Sequence, residues 1–264
     1  MIALIKTLPL LLCLAPQAAP ALGGAAPAPG SAPPSGRATS LFSGIIDMKL
    51  TMESGNGDLR LFVDGGRNAK LDMKVTVNPL PAPLVMSFLF RVDSPKKVFL
   101  LNEKEKTYGE IVLDGQNPAV APGARGAYKV KVLGKGKVLG YDCTHVTLTR
   151  DKDWVDAWIS KDVGDLFWVL KRLQEANPQI GEAEMFKALE DAGQQGMPMR
   201  YTVIREGQRV STEVRKIEAK ALPASLFTIP RDYAKTEGGP GDLQPTPEQV
   251  EEMKKLIQGA LQGQ

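Results

Sequence analysis

The sequence has one histidine, His145, and two cysteines, Cys13 and Cys143. A single histidine excludes a two-histidine zinc site of the His-Glu-x-x-His kind, and two cysteines exclude a four-cysteine site. Any Ser-His-Asp triad would have to run through His145, and no Gly-x-Ser-x-Gly elbow is present. Excess charge of one sign is also missing. With 33 basic and 30 acidic side chains the formal charge is only +3, which gives no electrostatic case for nucleic acid. Aromatics are scarce at 6%. The apolar run Thr7–Leu14 is too short to cross a bilayer as a helix. No internal repeat of fixed period is visible.

What is present is globular: 264 residues, 43% hydrophobic and 24% charged. The 26 glycines and 20 prolines favour many turns, hence β structure over a helical bundle. Residues 1–23 read as a signal peptide, with Lys6, a short apolar stretch and small residues at Ala19, Ala21 and Gly23. The expected location is the periplasm or cell envelope. Leu12 stands where a lipid-attachment site wants a small residue, which argues against an anchor at Cys13. Cleavage near Ala21 would leave Cys143 alone, without an intramolecular disulfide.

Residues 24–40 form a Pro/Ala-rich linker, too poor in large apolar side chains to offset its ordering entropy. A globular domain is expected over 41–234, a second linker over 235–245, and an amphipathic helix over 246–263. Thr246, Pro247 and Gln249 supply a helix start. Val250, Met253, Leu256 and Ile257 recur at helical spacing. This helix either docks on the main domain or grips a partner protein.

Within 41–234 the pattern has period two. Met48, Leu50 and Met52 alternate with charged or polar residues, as do Leu59, Leu61, Val63 and then Leu71, Met73 and Val75. Asn56-Gly57 reads as the first hairpin turn. Leu84–Phe90 is apolar on both parities, and a strand of that kind needs cover on both faces. Asp153–Ser160 is also two-sided, with Trp154 and Trp158 sharing one face. Two helices are expected, over Asp162–Ala176 with Asp162 as N-cap, and over Glu182–Gln195. The expected class is α+β: a large curved antiparallel sheet, an unclosed β-barrel of roughly nine to eleven strands, with a helical insertion covering one face.

Motifs for chemistry are weak. Ser94-Pro95-Lys96-Lys97 matches Ser-x-x-Lys, but Pro95 argues for a turn. Gly134-Lys135-Gly136-Lys137 is followed by a strand, not the helix that a phosphate loop requires; its lysines, with Lys129 and Lys131, share a strand parity and read as a solvated face. Asp151, Asp153, Asp156, Asp162 and Asp165 lack the spacing of a calcium loop. Cys143 and His145 lie on one strand face, where a structural pair is the expected role. No metal, cofactor or catalytic residue is expected.

The positive signal is methionine. Met48, Met52, Met73 and Met86 sit on strands that also offer Phe88 and, further on, Trp158, and such surfaces re-pack around varied apolar partners. Core filling is the competing reading. If the helices cover the sheet partly, an apolar cavity lined by Met48, Leu50, Met52, Met73, Met86, Phe88, Trp154 and Trp158 results.

Three segments carry a family resemblance. Gly140-Tyr141-Asp142-Cys143-Thr144 resembles the Gly-Tyr-x-Cys segment of a family of exported bacterial domains of unknown function. Trp158–Gly164 resembles its next strand and turn, and Phe227–Tyr233 its closing Phe-x-x-Pro-x-x-Tyr. That family is similar to the outer-membrane lipoprotein carrier superfamily. The resemblance implies an unclosed β-barrel with a helical lid over an apolar cavity, holding a lipid or lipoprotein acyl chain by packing alone. The Pro-rich leader and terminal helix depart from the carrier pattern. The expectation is therefore a monomeric, non-enzymatic, exported binding protein. Its alternative is an envelope sensor or interaction module, on the same scaffold, that holds an envelope protein through Val250, Met253, Leu256 and Ile257.

Overall fold

The computed structural model describes residues 42–65, 67–78, 80, 82–113, 126–164, 166–176, 183–205 and 207–236. The expected leader, linkers and tail helix, with Val250, Met253, Leu256 and Ile257, lie outside the described residues apart from the first two positions of the second linker.

The first six strands form a meander: β1 (Gly44–Met52), β2 (Gly55–Asp64), β3 (Asn68–Val77), β4 (Leu84–Phe90), β5 (Lys97–Asn102) and β6 (Thr107–Val112). A second run holds β7 (Lys129–Val138), β8 (Tyr141–Arg150) and β9 (Asp153–Ser160). Helices α1 (Phe167–Ala176) and α2 (Ala183–Asp191) follow, then β10 (Met197–Arg205), β11 (Gln208–Ala219) and the two-residue β12 (Ala234–Lys235). All twelve strands join one sheet in the order β12-β6-β5-β4-β3-β2-β1-β11-β10-β9-β8-β7. Antiparallel pairing of β1 with β11 welds the two runs together, and only the short β12 pairs in parallel, with β6. The sheet is unclosed, with β7 and β12 at its edges. The helical hairpin is inserted between the paired strands β9 and β10.

The period-two pattern accounts for the core. Ile46, Leu50 and Met52 on β1, Leu59, Leu61 and Val63 on β2, and Ala69 to Val77 at odd positions on β3 are buried. Register carries this face across β11 and β10 to Val155 on β9 and Leu148 on β8. The helices cover the same face. Val169 of α1 belongs to the cluster built on β1–β3, while Phe167 of α1 and Met185, Phe186 and Leu189 of α2 pack with Val146, Leu148, Val155 and Ala157.

The opposite face carries the second cover that the two-sided β4 demands. Leu89, Phe99 and Leu101 are buried there under Phe227, with Leu222, Leu226, Ile229 and Tyr233 packed around them. The closing Phe-x-x-Pro-x-x-Tyr segment is thus a lid over the back of β4 and β5, entered through a 3-10 turn at Ala224–Phe227.

Three local expectations are corrected. The first hairpin turns at Glu53-Ser54, since Met52 pairs with Gly55 and Asn56-Gly57 lies inside β2. Glycine is needed here for close approach: a Cβ on Gly55 would lie 1.9 Å from the Thr76 carbonyl oxygen. Asp162 caps no helix, because α1 starts at Phe167; its carboxylate accepts the Asp142 N–H at 3.1 Å. The four lysines of β7 do not share a face either. A bulge between Val132 and Gly134 shifts the register, so Lys129 and Lys131 face away from Lys135 and Lys137.

Candidate functional site

The candidate site is the helix-covered face of the sheet. One register row crosses five strands there: Val214, Met48, Leu59, Met73 and Met86, on β11, β1, β2, β3 and β4. The next row holds Ile217, Ile46, Leu61, Leu71, Phe88 and Leu100. Leu59 and Met73 are buried at the row's centre, while Met48 and Met86 toward its ends are half-buried, as is Phe88. Leu50 and Met52 are buried on the same face of β1. Six of the eight candidate residues, Met48, Leu50, Met52, Met73, Met86 and Phe88, therefore share one surface.

Trp154 does not join them, and Trp158 reaches the same hydrophobic cluster from the opposite parity of its strand. Val155, Ala157 and Ile159 of β9 face the helices, so both indoles leave β9 on its other side. Trp158 stacks on His145 there at 4.3 Å between ring centroids and 11° between planes. Gly136 leaves room for the ring, since a Cβ at that position would sit 2.6 Å from it. Alternation placed the two tryptophans together, but only strand register shows which face the helices take.

Helix α1 closes over the methionine face. Val169 is buried in the same cluster, with Trp168, Leu173 and Ala176 packed against it. Its middle is tied to the β4–β5 connection: the Arg172 guanidinium donates to the Arg91 carbonyl at 3.2 Å and also to the Pro95 carbonyl. Burial holds the Arg172 pKa below its ordinary value. Lys171 pairs with Glu190 at 3.0 Å and so joins α1 to α2. Nothing in the sequence pattern flags Arg172, because its partners are backbone carbonyls about 80 residues away along the chain.

Helix α2 is held more firmly. Arg150 is buried and donates to Glu184 on α2 at 2.8 Å and to Asp153 at 3.0 Å, with its guanidinium 4.1 Å from the Tyr128 ring centroid. Arg205 adds a bond to the Tyr128 hydroxyl at 3.1 Å. Burial would raise the Asp153 carboxyl, but Arg150 and Arg205 outweigh it and hold its pKa below the usual carboxylate range. Burial dominates at Tyr128 and pushes its phenol up. The two helices thus have unequal attachments: a buried ionic cluster under α2, and surface and backbone bonds on α1.

The Cys143–His145 pair lacks the makings of a catalytic dyad. Cys143 is buried, and burial raises its pKa, the opposite of an activated thiol. His145 Nε2 lies 2.6 Å from the Asp156 carboxylate while its ring is stacked on Trp158. Among the described residues no group of three or more His, Cys, Asp or Glu side chains is placed to hold a metal ion. No helix among them is long and apolar enough to cross a membrane.

These features define an α+β protein with an unclosed antiparallel sheet and a helical cover over one apolar face. The chain belongs to the family described as Domain of unknown function (DUF4412), which matches residues 42–233. Among curated proteins none matches. Solved structures with a similar course include PNGF-II, at 12% identity and a TM-score of 0.38, covering 75% of this chain and 32% of that one. The MucA/MucB complex of Pseudomonas aeruginosa gives 9% identity and a TM-score of 0.36, covering 74% and 58%. A domain assigned to outer-membrane lipoprotein sorting, from Vibrio parahaemolyticus, gives 10% identity and a TM-score of 0.28, covering 69% and 88%. This chain spans about a third of the first of these structures and just over half of the second.

Proposed function

We propose that this chain is an exported, non-enzymatic binding protein that takes an apolar chain, such as a lipid acyl chain, between the methionine row and α1. The observation that carries this reading is the continuous row Val214–Met48–Leu59–Met73–Met86 beneath a helix whose Arg172 hydrogen-bonds two carbonyls of the β4–β5 connection. Methionine has three rotatable bonds and a polarizable sulfur, so a methionine-lined surface re-packs at small cost when its cover changes.

In the described structure α1 lies directly on the sheet, and Leu50, Met52 and Met73 are buried. Binding therefore means replacement: the ligand takes the place of α1 side chains as the helix lifts. Each buried methylene contributes about 0.8 kcal/mol, and a large apolar side chain roughly 1.5–3 kcal/mol. A chain of about a dozen carbons thus offsets the loss of contacts by Val169, Leu173 and Trp168. Shorter chains would leave the helix down.

Native mass spectrometry of the purified protein titrated with 1-palmitoyl-lysophosphatidylcholine tests the proposal. It predicts a one-to-one adduct with the sixteen-carbon chain and none with the hexanoyl analogue. Equal adduct with both, or none with either, contradicts it.

A further inference from the structure

Trp168 is the second residue of α1, packs against the cluster that contains the methionine row, and lies beside the Arg172 guanidinium at 5.7 Å. Its indole Nε1 is buried and has no hydrogen-bond partner among the described residues. Buried donors are almost always paired, and an unpaired one requires an explanation. The other buried unpartnered side-chain atoms are differently placed. Glu53 Oε2 and Ser54 Oγ share the β1–β2 turn, and Arg150 Nε belongs to a guanidinium whose other nitrogens bond Glu184, Asp153 and Tyr128. Phenylalanine at position 168 would supply similar apolar area without an orphan donor.

Resting on the proposed function, we infer that the Trp168 N–H is a ligand donor, and that the bound molecule carries a carbonyl acceptor where its hydrocarbon chain begins. The acceptor is neutral. A phosphate or free carboxylate brought against the apolar row would carry the larger desolvation cost of a charge. An acyl carbonyl is the acceptor joined directly to a chain at least desolvation cost. It occurs as the ester of a lysophospholipid and as the N-acyl amide of a lipidated peptide.

The test compares three probes below their aggregation concentrations, on wild type and on Trp168→Phe. They are 1-palmitoyl-lysophosphatidylcholine, its 1-O-hexadecyl ether counterpart and N-palmitoylglycinamide. The ether keeps chain and headgroup but has no carbonyl. Wild type is expected to bind the ester about fivefold more tightly than the ether, the size of one net hydrogen bond. Trp168→Phe should bind both equally, at the wild-type ether level. The tighter of ester and amide identifies the source of the carbonyl. The same ester-to-ether ratio in both proteins overturns the inference while leaving the proposed function intact; no binding of any probe by wild type overturns both. If the variant fails to fold, the wild-type indole ¹⁵N–¹H resonance decides. A downfield proton shift of one indole with ester and not with ether supports the assignment, and identical spectra with the two lipids refute it.

Discussion

Met73 and Met86 pair directly across β3 and β4 on the helix-covered face, one buried and the other half-exposed. With Met48 two strands further along the same row, they make a surface whose shape is set by flexible side chains under a helix that Arg172 fastens to two backbone carbonyls. That combination separates this face from an ordinary core, in which stiff branched side chains meet a fixed cover.

The first prediction concerns the fastening. Arg172→Ala removes the hydrogen bonds to Arg91 and Pro95 and should cost about 1–3 kcal/mol in a denaturation experiment. Backbone amides of residues 167–176 should exchange faster than those of α2. Long-chain lipid should then associate several-fold faster. Unchanged exchange in α1 would contradict its role as the movable element.

A second prediction separates the two faces. Phe227→Ala uncovers Leu89, Phe99 and Leu101 on the back of the sheet and should destabilise by about 3–5 kcal/mol. Binding on the methionine face should persist wherever the variant remains folded. A loss of lipid binding in Phe227→Ala that is still folded would place the ligand on the back of the sheet instead.

The ionic cluster under α2 predicts an acid limb. The folded Asp153 pKa lies below its unfolded value, so the carboxylate contributes stability that is fully present above the unfolded pKa, near 4. That contribution is lost as pH falls from there through the depressed folded value. Asp153→Asn should be less stable than wild type at pH 7 and should show a shallower decline below about pH 4. Urea denaturation at a series of pH values reads the difference; parallel curves would show that Asp153 is not held by Arg150 and Arg205.

Cys143 gives a chemical prediction. Its buried thiol with a raised pKa should resist Ellman's reagent at pH 8 in the folded protein and react at once in denaturant. Rapid labelling of the native state would mean that the β8 region opens readily.

Much of this was legible from alternation. The parities of Met48, Leu59, Met73 and Leu61 gave the covered face, and the two-sided run Leu84–Phe90 required the second cover that Phe227 and its neighbours provide. The helices fell where their stripes lay, with α1 starting five residues later than Asp162. What was hidden depends on pairing between distant strands. Asn56-Gly57 has the form of a turn, yet the tight approach of β3 to Gly55 and Gly57 places it in a strand. The face of Trp154 and Trp158 depends on the β9–β10 register, and the Arg172 anchor depends on backbone carbonyls, which have no sequence signature.

The most direct test of the central claim is a titration of the ¹³C-labelled methionine methyl resonances with 1-palmitoyl-lysophosphatidylcholine, assigned by single Met→Leu substitutions. Binding between the row and α1 predicts saturable shifts at Met48, Met73 and Met86. Saturable binding that leaves those three resonances unmoved would contradict the account.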